Sequence, residues 1–308
     1  MLRNSLISLF LLILNFAANA ANVFGVCTVT CTWDASSTAM WSASSGGATG
    51  AAVPGSGDAV IFDAATCVGG VTCTITVNTT VTVQSITMGA CTASTTGCIL
   101  DFSVNNNNVT LSLAGASAFS GSGTGTRNLK MGNGTWTLTS TTANWTMTTT
   151  TNLTFSAGSS TISFTGANTT TSSRLFNGGG LTYNVVSFGA SGSNMGTTQI
   201  AGANTYATLN LTAPLHAVFN NATHTITNAF TWTGTSSNPL LIRTSSVTNP
   251  AVISTANNST LAWAGIAGIT FQGGGTFSAS NSMDYGNNTG ITITVPNVVA
   301  TGGKIIGG

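Results

Sequence analysis

The sequence predicts an all-β protein from its low charge, its many threonines and the alternation of its apolar residues. Charged residues make up only 4% of the 308 residues, with six Lys or Arg, five Asp and no Glu. Thr occurs 57 times and, with Ser, Asn and Gly, supplies most of the polarity. Thr fits a pleated sheet, whereas Lys, Glu and Ala favour helices. Hydrophobic residues at 42% suffice for a core, so the low charge does not indicate disorder.

Short runs in which apolar and polar residues alternate follow one another from about residue 70 onward. Examples are the runs 72–77, 135–139, 153–155, 161–164, 208–211 and 290–295. A period of two residues predicts half-buried strands. Gly, Asn and Ser separate the runs, and no amphipathic stripe of helical period is visible after the first twenty residues.

Two all-β architectures fit this pattern, a set of sandwich domains and a single solenoid. Short strands with one apolar and one small polar face favour the solenoid, because like side chains of neighbouring coils can form ladders. We therefore predict a single-stranded, right-handed parallel β-helix with irregular coils, as in pectate-lyase-like proteins. It has an N-terminal cap with the first coils over residues 21–100, a β-helix over residues 101–295 and a C-terminal tail over residues 296–308.

The N-terminus has the pattern of a secretory signal peptide over residues 1–20. Arg3 precedes an apolar run from Leu6 to Phe16, and Ala18-Asn19-Ala20 supplies the small residues of a cleavage site. The run is shorter than the roughly 20 residues that span a bilayer. We expect a secreted or cell-surface protein with no membrane span in the mature chain, and a virion appendage is the alternative.

All six cysteines lie between Cys27 and Cys98, and in an exported protein an even number predicts disulfides. The residues are Cys27, Cys31, Cys67, Cys73, Cys91 and Cys98. Turn-forming residues lie between Cys67 and Cys73 and between Cys91 and Cys98, which favours these two local pairs. Cys27 then pairs with Cys31, which requires a turn at residues 28–30, since a straight strand would hold them about 13 Å apart.

Three segments carry a resemblance to a known family. They are Thr32-Trp33-Asp34 with Trp41–Gly47, Val53-Pro54, Asp58, Val60, Phe62 and Asp63; then Phe176–Asn184; and finally Asp284–Thr292. This pattern resembles Thr-, Asn- and Gly-rich parallel β-helix proteins of phage tails or virions and of bacterial secreted or surface type. The resemblance implies the fold and an extracellular setting, and it supplies no catalytic residues. Physically, Trp33 and Trp41 are suited to cover the open end of the stack.

Many β-helix proteins cleave polysaccharides, which requires acidic residues in a suitable arrangement. The available acids are Asp34, Asp58, Asp63, Asp101 and Asp284. A glycosidase needs two carboxyl groups within about 5 to 10 Å, and Asp58 and Asp63 bracket one short strand, which separates them by about 16 Å. Turn and cap roles fit these acids better. We expect no enzyme.

The basic and histidine residues give no catalytic constellation either. Arg127 and Lys130 are expected in a solvated loop, and His216 and His224 on outward-facing strands or loops, since no carboxylate is near them in sequence. There is no Cys-x-x-Cys, no phosphate loop and no dinucleotide motif. The sequence therefore predicts no catalytic residue, no cofactor and no metal.

The leading functional hypothesis is a non-catalytic structural or adhesive protein that contacts glycans or forms part of an appendage. A net charge of +1 leaves no basic surface for nucleic acid. Low net charge and open strand edges also allow self-association. One alternative is a polysaccharide lyase or glycoside hydrolase. A second is an ice-binding protein, suggested by Thr-x-Thr pairs at residues 74 and 76, 146 and 148, 225 and 227, and 292 and 294.

Overall fold

The computed structural model describes residues 21–69, 71–90, 97–105, 107–114, 116–167, 173–189, 195–246 and 248–295. Within these ranges the protein has 29 strands and no helix. The all-β prediction is therefore confirmed for the described residues. The predicted signal peptide, Cys91 and the predicted tail lie outside them.

The N-terminal half consists of short strands in which apolar and polar residues alternate. They are β1 (Asn22–Gly25), β2 (Thr30–Trp33), β3 (Trp41–Ser42), β4 (Ala59–Phe62), β5 (Cys73–Val77), β6 (Val81–Val83), β7 (Ser85–Met88), β8 (Cys98–Asp101), β9 (Val109–Leu111), β10 (Ser117–Gly121), β11 (Arg127–Lys130), β12 (Thr135–Leu138), β13 (Asn144–Met147), β14 (Leu153–Ser156) and β15 (Thr161–Phe164). The alternating runs 135–139, 153–155 and 161–164 thus become β12, β14 and β15.

The C-terminal half contains the longest strands. They are β16 (Ser173–Asn177), β17 (Thr182–Phe188), β18 (Thr197–Ala201), β19 (Thr205–Thr212), β20 (Leu215–Phe219), β21 (Thr223–Thr233), β22 (Leu240–Thr244), β23 (Ala251–Thr255), β24 (Ser259–Ala262), β25 (Ala264–Ala267), β26 (Ile269–Gln272), β27 (Phe277–Ser280), β28 (Met283–Asp284) and β29 (Thr292–Ile293). The strands β17, β19 and β21 have seven, eight and 11 residues.

The strands form four sheets, of 12, nine, five and three strands. From β5 to β16 the chain passes in a fixed rotation from the five-stranded to the nine-stranded and then to the 12-stranded sheet. We call one such round of strands a passage. Each strand pairs in parallel with the equivalent strand of the previous and next passage, as β12 does with β9 and β15. The last passages run through the nine-stranded, three-stranded and 12-stranded sheets. The pairing of β1 with β3 is antiparallel.

Inward side chains of successive passages lie in register and form the core. One buried column of the nine-stranded sheet is Val83, Leu111, Leu138, Phe164, Phe188 and Leu211. In this column the rings of Phe164 and Phe188 stack with centroids 4.9 Å apart. Buried residues of all four sheets belong to one hydrophobic cluster. Each such large apolar side chain stabilises the fold by about 1.5–3 kcal/mol.

Small polar side chains form a matching column on the other face of the nine-stranded sheet. This column is Thr82, Thr110, Thr137, Ser163, Ser187, Asn210 and Thr231. The four Thr-x-Thr pairs named for ice binding are elsewhere: they begin in the five-stranded, 12-stranded, nine-stranded and three-stranded sheets respectively. Those four pairs therefore do not build one common face.

The N-terminal segment is held by aromatic packing and by disulfides. Trp33 and Trp41 are buried with ring centroids 4.9 Å apart in an edge-to-face contact. Cys27 bonds to Cys31 and Cys67 to Cys73, which are two of the three predicted pairs. A bend at residues 28 and 29 brings the Cα atoms of the first pair to 5.8 Å. Cys91 of the third predicted pair lies outside the described residues.

Candidate functional site

The five aspartates are spread over the chain, and each carboxylate accepts a hydrogen bond from a nearby backbone N–H. Those donors are Ser36 and Ser37 for Asp34, Gly55 for Asp58, Ala65 for Asp63, Ser103 for Asp101 and Gly286 for Asp284. The hydrogen bonds from Ser36 and Ser37 hold the pKa of Asp34 below its usual value. Asp58 and Asp63 lie beyond opposite ends of β4. All five carboxylates therefore cap turns.

The prediction of a solvated loop is wrong for Arg127, because this residue lies in β11 with its side chain buried. Its guanidinium donates to the carbonyl oxygens of Ser122, Gly125, Thr149 and Thr151 at 2.7 to 3.2 Å. Burial lowers the pKa of Arg127. The residue joins backbone segments of two successive passages, so its role is structural.

Lys130 also lies in β11 and not in a solvated loop, and its Nζ reaches the neighbouring strand β8, where it lies 2.8 Å from Oδ2 of Asp101. Burial acts to raise the pKa of Asp101, but hydrogen bonds from Lys130 and Ser103 outweigh it and hold the pKa below its usual value. The carboxylate of Asp101 thus stays ionised and paired. The acid of a glycosidase needs a raised pKa, whereas the pKa of Asp101 is lowered.

The two histidines occupy different environments, and one of them contradicts the sequence prediction. His224 is buried inside the protein, with its ring near Tyr206 and Phe219. Burial lowers the pKa of His224 to about 4. An outward-facing position was therefore wrong for His224, since its strand β21 presents alternate residues to the core. Its place in a packed core does not suit a catalytic base.

His216 is half-buried and faces outward from β20 in the 12-stranded sheet. Its Nε2 accepts a hydrogen bond of 2.8 Å from Nε of Arg243, and its Nδ1 lies 3.3 Å from Oγ1 of Thr197. An Nε2 that accepts a hydrogen bond carries no proton, so the neutral ring holds its proton on Nδ1. Burial and the charge of Arg243 both lower the pKa of His216, which favours this neutral form.

A cavity of about 290 Å³ includes in its lining Leu241, which is the register partner of His216. Most of its lining is apolar or aromatic, with two polar side chains. The lining residues are Met195, Ser236, Pro239, Leu240, Leu241, Trp263, Ala264, Gly265, Asn281, Met283 and Tyr285. Its size is at the lower end of small-molecule sites, roughly 300 to 1,000 Å³. The volume suits one ring-sized group.

Tyr285 provides the exposed aromatic surface of the cavity, with 59% of the residue accessible to solvent. A Cβ atom on Gly265 would lie 2.5 Å from Cε2 of Tyr285, so the ring packs directly against backbone that only glycine leaves free. The backbone N–H of Tyr285 donates to the carbonyl of Ile266 at 2.8 Å. The ring is thus fixed at its base and open on its outer face.

Trp263, another residue of the lining, has an unusual backbone. Its φ is 57°, in the left-handed region that bulky residues rarely adopt. Hydrogen bonds from its N–H to Ser280 and from Leu240 to its carbonyl hold it there. Such a conformation costs about 1–3 kcal/mol and concentrates at ligand sites. The fold thus holds a half-buried indole at the cavity in spite of this strain.

Neither Trp263 nor Tyr285 was singled out from the sequence as a site residue. The lining residues Leu241, Gly265 and Met283 come from β22, β25 and β28, which are distant in sequence and adjacent only in the sheet. The one available signal was the large aromatic side chain of Tyr285 between Asp284 and Gly286, a turn where a buried core residue is not expected.

A second concavity lies near the N-terminal end, with a volume of about 470 Å³. It is lined mainly by small side chains, including Ala35, Gly55, Thr79 and Thr82. Its aromatic residue, Trp33, is buried. It therefore offers a ligand no exposed ring, and the C-terminal cavity is the better candidate.

Two further observations concern ligands and membranes. Over the described ranges, no group of three or more His, Cys, Asp or Glu residues is placed to hold a metal ion. Over the same ranges, no helix has the length and apolar character needed to cross a membrane.

Comparison of the chain with protein-family models, with curated proteins and with solved structures returned no match. The resemblance to phage and bacterial β-helix proteins therefore stays an expectation. Function has to be argued from the residues of this chain.

Proposed function

We propose that this chain is a secreted or surface-exposed right-handed β-helix that binds glycans without cleaving them. Support for the β-helix comes from the fixed rotation of the chain through its sheets, the parallel pairing in register and the single hydrophobic cluster. Each passage then forms one coil, and the short polar turns connect its sides. Two disulfides and the apolar N-terminal segment support export.

The observation that carries the binding proposal is the cavity whose lining includes Trp263 and Tyr285. Aromatic rings offer an apolar face together with a polar group at one end, which suits a sugar with both C–H and hydroxyl groups. Ser236 and Asn281 supply a hydroxyl and an amide at the same cavity. A mostly apolar site with a few polar groups is the common form of a small-ligand site.

The carboxylates support binding without cleavage. Hydrolysis of a glycoside normally needs one protonated and one ionised carboxyl group close together. Asp284 is the acid next to the cavity lining, and its Oδ1 accepts hydrogen bonds from Gly286 and from the amide of Asn288. The other four aspartates lie between residues 34 and 101, on early strands and turns. Among the residues that the structure describes, the cavity therefore has no second carboxyl group beside it.

The test incubates the purified protein with a panel of immobilised polysaccharides and measures retained protein and newly released sugar ends together. We expect retention on at least one polysaccharide and no release of sugar ends. The substitution Tyr285→Ala should lower the affinity at least tenfold, because it removes the exposed ring. Val104→Ala is the matched control, since Val104 is 58% exposed and lies outside the cavity.

Three outcomes would contradict the proposal. Release of sugar ends would show an enzyme, and absence of retention on every polysaccharide would remove glycan binding. Equal binding by Tyr285→Ala and the parent protein would place the contact elsewhere.

A further inference from the structure

Arg243 is an exposed cation next to the proposed glycan cavity, and within the described ranges no carboxylate forms an ion pair with it. Its Nε donates to His216 and its Nη1 to the carbonyl of Thr244. Neither acceptor carries a negative charge when His216 is neutral. The charge of the guanidinium is therefore uncompensated, and its Nη2 end is free to meet a ligand.

The register of the sheet places Arg243 at the cavity rim. Leu241 lines the cavity, and Arg243 follows it by two residues on the same side of β22, because side chains alternate along a strand and Ile242 between them is buried. Two residues of extended strand span about 7 Å. His216 is the direct partner of Leu241 on β20, and the guanidinium of Arg243 turns toward it. Aromatic residues thus belong to the cavity lining, and a cation lies two residues along β22 from Leu241.

His216 fixes the direction of the guanidinium. The neutral ring accepts the Nε–H of Arg243, while Thr197 anchors the opposite nitrogen of the ring. A long arginine side chain loses rotamer entropy when it is held in one geometry, and the bond to His216 makes this loss before a ligand arrives. His216 is thus a positioning residue, and Arg243 is the residue that would contact a ligand.

We propose that the cavity binds a sugar residue that carries a carboxylate, as in a polyuronic acid, and that Arg243 holds this carboxylate. This inference rests on the proposed glycan-binding function and names its ligand class. A planar guanidinium matches a carboxylate with two parallel hydrogen bonds. The sugar ring then packs against Tyr285 while its acidic group points along the sheet toward Arg243.

The nearest acid does not oppose such a ligand at the rim. Asp284 lies on β28, in register with Ile266 rather than with the cavity-lining Gly265, and its carboxylate caps its own turn. On the strands next to β22, the ionisable side chain facing Arg243 is His216. The local field at the rim is therefore positive.

The experiment compares the affinity of the full mature protein for polygalacturonate with that for its fully methyl-esterified form. The two polymers have the same sugar rings and differ in charge, and a sulfated neutral-backbone polysaccharide tests whether any anion suffices. We expect binding to polygalacturonate at least tenfold tighter than to the ester or to the sulfated polymer. Arg243→Gln should remove this preference by lowering the affinity for polygalacturonate to about that for the ester.

The role of His216 is tested by two substitutions of different chemistry. His216→Gln keeps an acceptor for Nε of Arg243 and should retain most of the preference, whereas His216→Leu removes the acceptor and should lose it. Arg127→Gln cannot serve as a control because that arginine is buried, so the control is Lys130→Gln, which removes a half-buried cation outside the cavity lining. Lys130→Gln should bind like the parent protein.

Equal affinity for polygalacturonate and its ester would overturn this inference and leave glycan binding standing. Equal preference for the sulfated polymer would show non-specific anion attraction instead of carboxylate recognition. An Arg243→Gln variant that keeps its preference would also overturn the proposal. Absence of binding to every polymer would contradict the proposed function itself.

Discussion

At the residue scale, His224 links the core to the solution pH. Its imidazole is buried between Tyr206 and Phe219, and burial lowers its pKa to about 4 from the value of 6.5 expected in an unfolded chain. The unfolded state therefore binds a proton at a higher pH than the folded state does. Stability is unaffected by this group above about pH 6.5 and falls as the pH drops from there toward 4.

We expect the free energy of unfolding to fall by about 2 kcal/mol from this group between pH 7 and pH 5. Denaturant unfolding of the parent protein and of His224→Gln at both pH values measures the effect, and the variant should lose most of it. His216→Gln is the control, because His216 is only half-buried and should contribute less. Identical pH dependence in the parent protein and in His224→Gln would show that His224 is not the cause.

At the scale of elements, strand β3 closes one edge of the 12-stranded sheet by antiparallel pairing with β1. Its Trp41 is fully buried against Trp33 and Phe62, with ring centroids 4.9 and 6.3 Å away. These contacts join the terminal strand to the first strands of the core. The large ring at this position therefore covers apolar surface that would otherwise face water.

We expect Trp41→Ala to lower the free energy of unfolding by about 3–5 kcal/mol, the usual cost of deleting a buried Trp side chain. Tyr285→Ala removes an aromatic ring of similar size from an exposed site and should change stability by less than about 0.5 kcal/mol. Chemical denaturation of the two variants beside the parent protein measures both effects. Equal stability of the two variants would mean that Trp41 does not close the fold.

The strands were predictable and the site was not, for a physical reason. Alternation along Thr161–Phe164 depends on neighbouring residues alone, and that run became β15 without change. The burial of Arg127 depends on carbonyls of Thr149 and Thr151, which only the folded chain brings to it. The cavity likewise needs Leu241 and Gly265 from different passages of the chain. The alternation of neighbouring residues predicts strands, whereas the cavity and the burial of Arg127 depend on contacts between residues that are distant in sequence.

At the scale of the whole molecule, the disulfides and the candidate site lie near opposite ends of the strand order. The disulfides lie near β2 and β5, while the cavity lies between β22 and β28, close to the last strand of the 12-stranded sheet. Each strand contacts mainly the strands of adjacent passages, so the stability of any part depends on its own neighbours. The ends should therefore open independently of the middle.

We expect amide hydrogen exchange to be fastest in β28 and β29, slowest in strands such as β13 and β19, and intermediate near the disulfides. In the described sheets β28 pairs on one side only, with β25, whereas β13 pairs with both β10 and β16. Local opening of a terminal strand exposes less apolar surface than opening of a central one and costs less free energy. Exchange followed by mass spectrometry on proteolytic fragments measures this gradient. Uniform protection from β5 to β29 would instead show one cooperative unit, and a gradient of the opposite sense would place the least stable part beside the disulfides.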